Sequence, residues 1–209
     1  MLKRFLENLT LTSRTERKTI EQVVLPILLN KASDAVEFLS KLSGSTFNGG
    51  LYRVHSLAEI EKWTKIVESA FPSFKGRIAC LTYDWLGRQF ALDSNRVSES
   101  EPLLLMFDVG AGEVIDITMS FHDFHNLIVD YPDEVLASAF FTEWKSTIGH
   151  ELQPTQCVGY KIPLFLNGQE ELSNLEVTSM KLYWELFGQI LEQVRNLPPG
   201  TRLSKLKIG

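Results

Sequence analysis

Four short runs of β-forming residues follow one another in the middle of the chain, and they constrain the fold more than any other feature. The runs are residues 78–83, 89–92, 103–107 and 114–117. Turn residues connect them, as in Trp85-Leu86-Gly87, the polar stretch 93–101 and the segment 109–112 with its two glycines. Because short connections join neighbouring strands, the sequence predicts an antiparallel meander.

Apolar residues at helical spacing lie on both sides of these runs. Asp34 and Glu37 predict the capped start of a helix that ends at Gly44, and Ser56 and Glu59 predict a second helix start. The inner face of the second helix is predicted to be Ile60, Trp63, Val67 and Ala70. Further helices are predicted from Ser120, from Pro132 and over residues 180–194. The predicted fold class is therefore α+β, with a central antiparallel sheet flanked by helices.

The first residues form a helical pattern of their own. Leu2, Phe5, Leu6 and Leu9 fall on one helical face, which favours a helix docked on the body over a membrane-surface anchor, since such anchors usually need a stronger basic face. We expect residues 1–35 to be an N-terminal helical extension and residues 36–209 to be a single α+β domain.

The net charge of −5 over 209 residues excludes direct nucleic-acid binding as the expected function, because phosphate binding depends on clustered Lys and Arg. The two cysteines, Cys80 and Cys157, have no zinc or redox spacing, so we expect buried thiols in a reduced, cytoplasmic compartment. No run of apolar residues is long enough for a membrane-spanning helix.

Candidate catalytic groups are sparse. His122 and His125 could hold a metal ion together with Asp116 or Asp130, but the two histidines also fit the polar face of an amphipathic helix. A thiol site could combine Cys157 with His150. Neither pattern is specific, and no nucleotide-binding or hydrolase motif is present in the sequence, so we expect no catalysis and no cofactor.

Carboxylates are concentrated in the middle of the chain. Most of them are expected to be solvated or to cap helices, but together they could also form an acidic face that steers a cationic partner. Trp85, in a predicted turn, is either an interface anchor or a core residue. The candidate partner-binding residues are Asp84, Trp85, Asp93, Asp108, Glu113, Asp116, Asp130, Asp133 and Glu134.

Three stretches resemble one family when they are taken together. They are Phe47-Asn48-Gly49-Gly50-Leu51-Tyr52-Arg53, Asp84-Trp85-Leu86-Gly87 with Phe90-Ala91-Leu92-Asp93, and the segment 157–168 with its sequence CVGYKIPLFLNG. They resemble the DNase-immunity proteins of type VI secretion, which join a GAD-like part to a C-terminal part, here about residues 36–75 and 76–201. The Trp-Leu-Gly turn is also loosely similar to SUKH-type immunity domains.

This resemblance implies a non-catalytic protein that binds a cognate toxin, a basic nuclease, and so protects the cell that makes it. Two other functions stay open from the residues alone. One is a small metal- or thiol-dependent enzyme, and the other is a general regulatory or ligand-binding domain.

Overall fold

The computed structural model describes residues 1–15, 26–32, 34–149 and 151–198. Within these residues, seven strands form one antiparallel sheet in which spatial order follows chain order, from β1 to β7. The strands are β1 (Leu11–Arg14), β2 (Ser45–Phe47), β3 (Tyr52–Val54), β4 (Ile78–Asp84), β5 (Gln89–Ser98), β6 (Glu101–Asp108) and β7 (Glu113–Asp116). The predicted central antiparallel sheet and the meander of its last four strands are confirmed.

The longest predicted turn, residues 93–101, is wrong in its extent. The bulge between Asp93 and Val97 interrupts pairing, and Val97 then pairs with Pro102, so that β5 continues to Ser98. The turn itself is confined to Glu99 and Ser100, whose φ angles are 49° and 73°. Asp93 accepts a hydrogen bond from the backbone N–H of Asn95, so a polar side chain stabilises the bulge and the strand passes through it.

In the described parts of the chain, seven α-helices and a second, two-stranded sheet surround the main sheet. The helices are α1 (Leu2–Asn8), α2 (Ala35–Leu42), α3 (Ile60–Ala70), α4 (Phe121–Asp130), α5 (Pro132–Leu136), α6 (Ser138–Ile148) and α7 (Met180–Val194). The small sheet pairs β8 (Gln156–Tyr160) with β9 (Leu175–Ser179). Among the described residues, no helix is long and apolar enough to cross a membrane.

Helices cover both faces of the main sheet. Phe90 on β5 packs against Phe124 of α4, with ring centroids 4.9 Å apart. Phe107 on β6 packs against Phe71 and Phe74, which follow α3, at 5.4 and 5.0 Å. Phe90 is paired with Met106, the neighbour of Phe107, so Phe90 and Phe107 point to opposite faces. The helices therefore flank the sheet as predicted.

The N-terminal segment is part of this core. Phe5 of α1 has no exposed surface, and its ring meets Phe38, Phe47 and Tyr52 edge-on. The predicted docked helix is confirmed, although Leu6 is 44% exposed and lies off the buried face. The segment is not helical throughout, because residues 11–14 form β1 and pair with β2.

The predictions of helix faces, caps and boundaries are confirmed in part. The predicted inner face of α3 is buried throughout, and Ser120 caps α4 by accepting the N–H of Asp123. Asp34 precedes α2 as predicted, but its side chain forms no capping hydrogen bond. The predicted helix from Pro132 breaks at Ala137, which adopts a φ of 51° and separates α5 from α6.

Candidate partner-binding surface

Three of the residues predicted to bind a partner lie in the interior. Asp84, Trp85 and Asp93 have no exposed surface, so they offer no contact area to another protein in this structure. Asp93 instead accepts a hydrogen bond from Nε of Arg77 at 2.8 Å, and this bond raises the pKa of Arg77. The structure therefore gives these three side chains a role inside the fold.

Asp84 organises the turn between β4 and β5. Its carboxylate lies 2.5 Å from Nε of Arg88 and accepts the backbone N–H groups of Leu86 and Arg88, both at 3.0 Å. Burial raises the pKa of Asp84, while the Arg88 guanidinium and the backbone donor oppose that shift. A buried, hydrogen-bonded ion pair of this kind fixes the direction in which Arg88 extends.

The turn between β4 and β5 also forms hydrogen bonds to α5. Nη2 of Arg88 donates to the carbonyl of Val135 at 3.1 Å, and Nε1 of Trp85 donates to the carbonyl of Leu136 at 2.9 Å. These are carbonyls at the C-terminal end of α5, which the helix itself leaves without a partner. The Trp85 ring also packs against Phe141, with centroids 5.2 Å apart. The buried residues therefore position the helix that carries the exposed carboxylates Asp133 and Glu134.

We call residues 130–134, between α4 and α5, the acidic corner. All five are exposed, and they place three carboxylates, Asp130, Asp133 and Glu134, around Tyr131, which is 54% exposed. Asp130 is held by a bidentate contact with Arg4 of α1. Asp133 accepts the backbone N–H of Ala139 at 2.8 Å. Glu134 has no ion pair or hydrogen bond to any described residue, so its charge is available to a partner.

The remaining predicted acids lie on the hairpin of β6 and β7. Asp108 is half-buried and accepts the backbone N–H groups of Gly110 and Ala111, at 2.8 and 3.0 Å, which is a turn-forming role. Glu113 and Asp116 are exposed on β7, the last strand of the sheet, and Asp116 forms an ion pair with Arg96. The predicted acidic face is thus divided between two elements.

Tyr131 was not among the predicted contact residues. It follows Phe124 and Ile128 at helical spacing, a pattern that places it on the buried face of α4. The helix ends at Asp130, and Tyr131 takes a φ of −136°, which turns its side chain away from that face. Proline at position 132 is the one sequence signal for this change, because the residue before proline disfavours helical geometry.

The two histidines of α4 have separate environments. His125 is fully buried, its Nδ1 donates to the carbonyl of Phe121 at 2.8 Å, and its Nε2 accepts from the Tyr52 hydroxyl at 2.9 Å. Burial lowers the pKa of His125 to about 3. His122 instead binds Asp34 through Nδ1 at 2.7 Å. The placement of both histidines on one polar face is therefore wrong, because His125 fills a cluster of aromatic rings.

Within the described parts of the chain, no three His, Cys, Asp or Glu residues are placed to hold a metal ion. Cys157 is fully buried, and burial raises the pKa of its thiol to about 12. A thiol with such a pKa carries almost no thiolate near neutral pH, and the thiolate is the nucleophile. Its predicted partner His150 lies outside the described residues.

This chain is similar to one protein family over part of its length and to a solved structure over most of its length. Residues 122–191, which are 70 of the 209 residues, match the family described as T6SS immunity protein Tdi1, C-terminal. The whole fold is similar to the crystal structure of Atu4351 from Agrobacterium tumefaciens, with a TM-score of 0.61 and 15% identity over 90% of this chain and 89% of that chain. At this identity the likeness concerns the fold alone.

A search of curated protein sequences finds no match. The family match covers α4 to most of α7 and includes the acidic corner. It confirms the resemblance that the sequence motifs predict. Residues 122–191 of this chain are therefore similar to the C-terminal part of a family of type VI secretion immunity proteins.

Proposed function

We propose that this protein binds a cognate secreted antibacterial toxin, a nuclease, and neutralises it without catalysing a reaction. The match of residues 122–191 to an immunity protein family carries the proposal. The charge of the chain supports the choice of partner, because a nuclease recognises phosphates through Lys and Arg, and a net charge of −5 favours association with such a surface. Two buried free thiols are compatible with action in the cytoplasm.

The state of the nucleophile candidates supports a non-catalytic role. Cys80 and Cys157 are buried, and burial raises the pKa of both thiols. His55 is stacked between Trp63 and Tyr83 and, like His125, is buried with a pKa lowered to about 3. These four groups are inaccessible, the two thiols carry almost no thiolate near neutral pH, and a pKa of about 3 makes each imidazole a weak base.

The acidic corner is the proposed contact surface. Protein interfaces commonly place an aromatic anchor inside a polar rim, and tyrosine is enriched among the residues that dominate binding energy. Tyr131 with Asp130, Asp133 and Glu134 has this composition, and the corner is held in place by Arg88, Trp85 and Arg4. We propose Glu113 and Asp116 on β7 as additional contacts for the basic partner.

The first experiment asks whether the proposed function is correct. The protein is co-expressed with the toxin encoded beside it, and co-purification and survival of the producing cell are measured. We expect both a stable complex and protection. If the wild-type protein neither binds nor protects against any neighbouring toxin, the proposed function is wrong.

A second experiment locates the contact within a complex that forms. Glu134→Lys should slow association by about threefold at low salt, and Tyr131→Ala should weaken binding by about 2 kcal/mol. Glu192→Lys is the matched control, because Glu192 is an exposed acid on α7 and its reversal changes the net charge equally. If Glu134→Lys and Glu192→Lys slow association equally, the corner is not the contact and only overall charge matters.

A further inference from the structure

Three cations beside one cleft lack a carboxylate partner. Elsewhere in the described chain, nine Lys and Arg side chains form ion pairs with Asp or Glu. Arg14, Arg53 and Lys145 form none with any described residue. Lys31, Lys75, Lys161 and Arg195 also form no ion pair with a described residue, but Arg14, Arg53 and Lys145 differ from them in lying beside one cleft. Their common location indicates a site for an anion from outside the chain.

The cleft lies between β1, the turn joining β2 to β3, the C-terminal end of α6 and the segment 151–154, and its volume is about 660 Å³. Arg14 and Lys145 line it. Hydroxyl-bearing residues also line the wall and can supply hydrogen-bond donors: Thr10, Thr12, Ser13 and Thr46. The hydroxyl of Thr15 instead donates to the carbonyl of Gly44. Glu151 is the one carboxylate among the described lining residues, and it forms no ion pair with the three cations.

Lys145 reaches across the cleft to the β2–β3 turn. Its ammonium group occupies the space that a side chain at position 49 would take, and glycine with a φ of 70° leaves that space free. The ammonium also lies 5.8 Å from the ring centroid of Phe141. Arg14 is bound only through the carbonyls of Lys41 and Ser43, at the C-terminal end of α2. Carbonyl groups carry only partial charge, so both cations retain attraction for an anion.

Arg53 lies behind the wall of the cleft. It has no exposed surface, and its guanidinium donates to the carbonyls of Gly50, Gln153 and Gln156. Its Nη2 has no hydrogen-bond partner among the described residues and lies beside Leu152, which lines the cleft. A buried cation without a counterion is unfavourable by several kcal/mol, so a negative charge bound in the cleft would stabilise it.

We propose that this cleft binds a small oxyanion, a carboxylate or a phosphate group. Lys145 and Arg14 supply the direct charge-assisted hydrogen bonds, the threonine and serine hydroxyls supply neutral donors, and Arg53 adds uncompensated positive charge from the interior. The site is separate from the acidic corner and does not depend on the proposed function.

The test is a titration of the folded protein with inorganic phosphate, and separately with acetate, at constant ionic strength. Binding is monitored by NMR as the shift of the Gly49 amide resonance. At least one anion should give a saturable shift, and the anion that saturates first identifies the group that the site prefers. Lys145→Ala should weaken this binding about tenfold, because it removes a charge-assisted contact. Lys75→Ala is the matched control, since Lys75 is also exposed and forms no ion pair with a described residue, but does not line the cleft.

The proposal is wrong if neither anion gives a saturable shift of the Gly49 resonance, or if Lys145→Ala and Lys75→Ala change the anion affinity equally. Arg53→Met, in which an apolar side chain replaces the buried cation, should also weaken anion binding if it folds. The exposed Lys145 variant decides the proposal even where the Arg53 variant is unfolded.

Discussion

The burial of Phe5 gives a direct test of how firmly the N-terminal segment belongs to the fold. Phe5 has no exposed surface, and its ring lies 5.3 Å from that of Phe38, 5.1 Å from Phe47 and 5.8 Å from Tyr52. These neighbours belong to α2, β2 and β3, so one side chain joins the first helix to three other elements. Phe5→Ala removes all of these contacts together.

We expect Phe5→Ala to lower the free energy of unfolding by about 4 kcal/mol. Truncation of a buried phenylalanine to alanine usually lowers it by about 3–5 kcal/mol, because apolar burial is lost and a cavity is left. Edge-to-face ring pairs add about 0.5–1.5 kcal/mol each beyond area burial, which places this site in the upper part of the range. Domains of ordinary stability unfold with about 5–15 kcal/mol, so the variant should be marginally folded.

The assay is urea unfolding, followed by tryptophan fluorescence and by circular dichroism, with Leu6→Ala as the control on the same helix. Leu6 is 44% exposed, so its truncation should lower the free energy of unfolding by less than about 1 kcal/mol. If Phe5→Ala costs as little as Leu6→Ala, the N-terminal helix frays in solution and residues 1–35 are a separate extension.

Three further predictions concern the interior. Trp85→Phe should lower the free energy of unfolding by about 1–3 kcal/mol in urea titrations, because the Leu136 carbonyl loses its indole donor in a buried place. Gly112→Ala should destabilise the fold by about 1–3 kcal/mol, since Gly112 has a φ of 70° and its added methyl group would lie 2.9 Å from Leu191; a neutral thermal shift would contradict this. Burial lowers the pKa of His125 from 6.5 to about 3, so between these pH values the unfolded state binds more protons than the folded state. The free energy of unfolding should therefore fall as the pH falls from about 6.5 towards 3. This pH dependence should be smaller in His125→Gln.

The sheet could be predicted because its strands are strongly patterned and adjacent along the chain. Short connections make β4 to β7 neighbours, and the residues of β4 are buried throughout. The strands β1 and β2 were not predicted, since each has only three or four residues with mostly polar side chains. Their place in the sheet depends on pairing with each other and with β3, which are contacts that local sequence does not specify.

The exposure of the candidate contact residues could be predicted only in part. The presence of a carboxylate does not by itself reveal burial. Asp84 is buried in an ion pair with Arg88, whereas Glu134 is exposed and forms no ion pair with a described residue. The difference arises from the turn after β4, which directs one acid inward, and from Pro132, which begins α5 at the surface. Burial of Trp85 likewise depends on Phe141 and Trp144, about 60 residues away along the chain.

The buried β4–β5 turn supports the acidic corner, while the corner itself is exposed. Asp84, Trp85 and Arg88 form a unit that ends on the carbonyls of α5, so the turn between β4 and β5 lies inside the fold and supports the helix that carries part of the corner. Changes to that unit should alter stability and corner geometry together. Changes to Tyr131 or Glu134 should alter partner binding with little effect on stability, because both side chains are exposed. Proteins with the same buried turn and a different corner should therefore share this fold while presenting different surfaces.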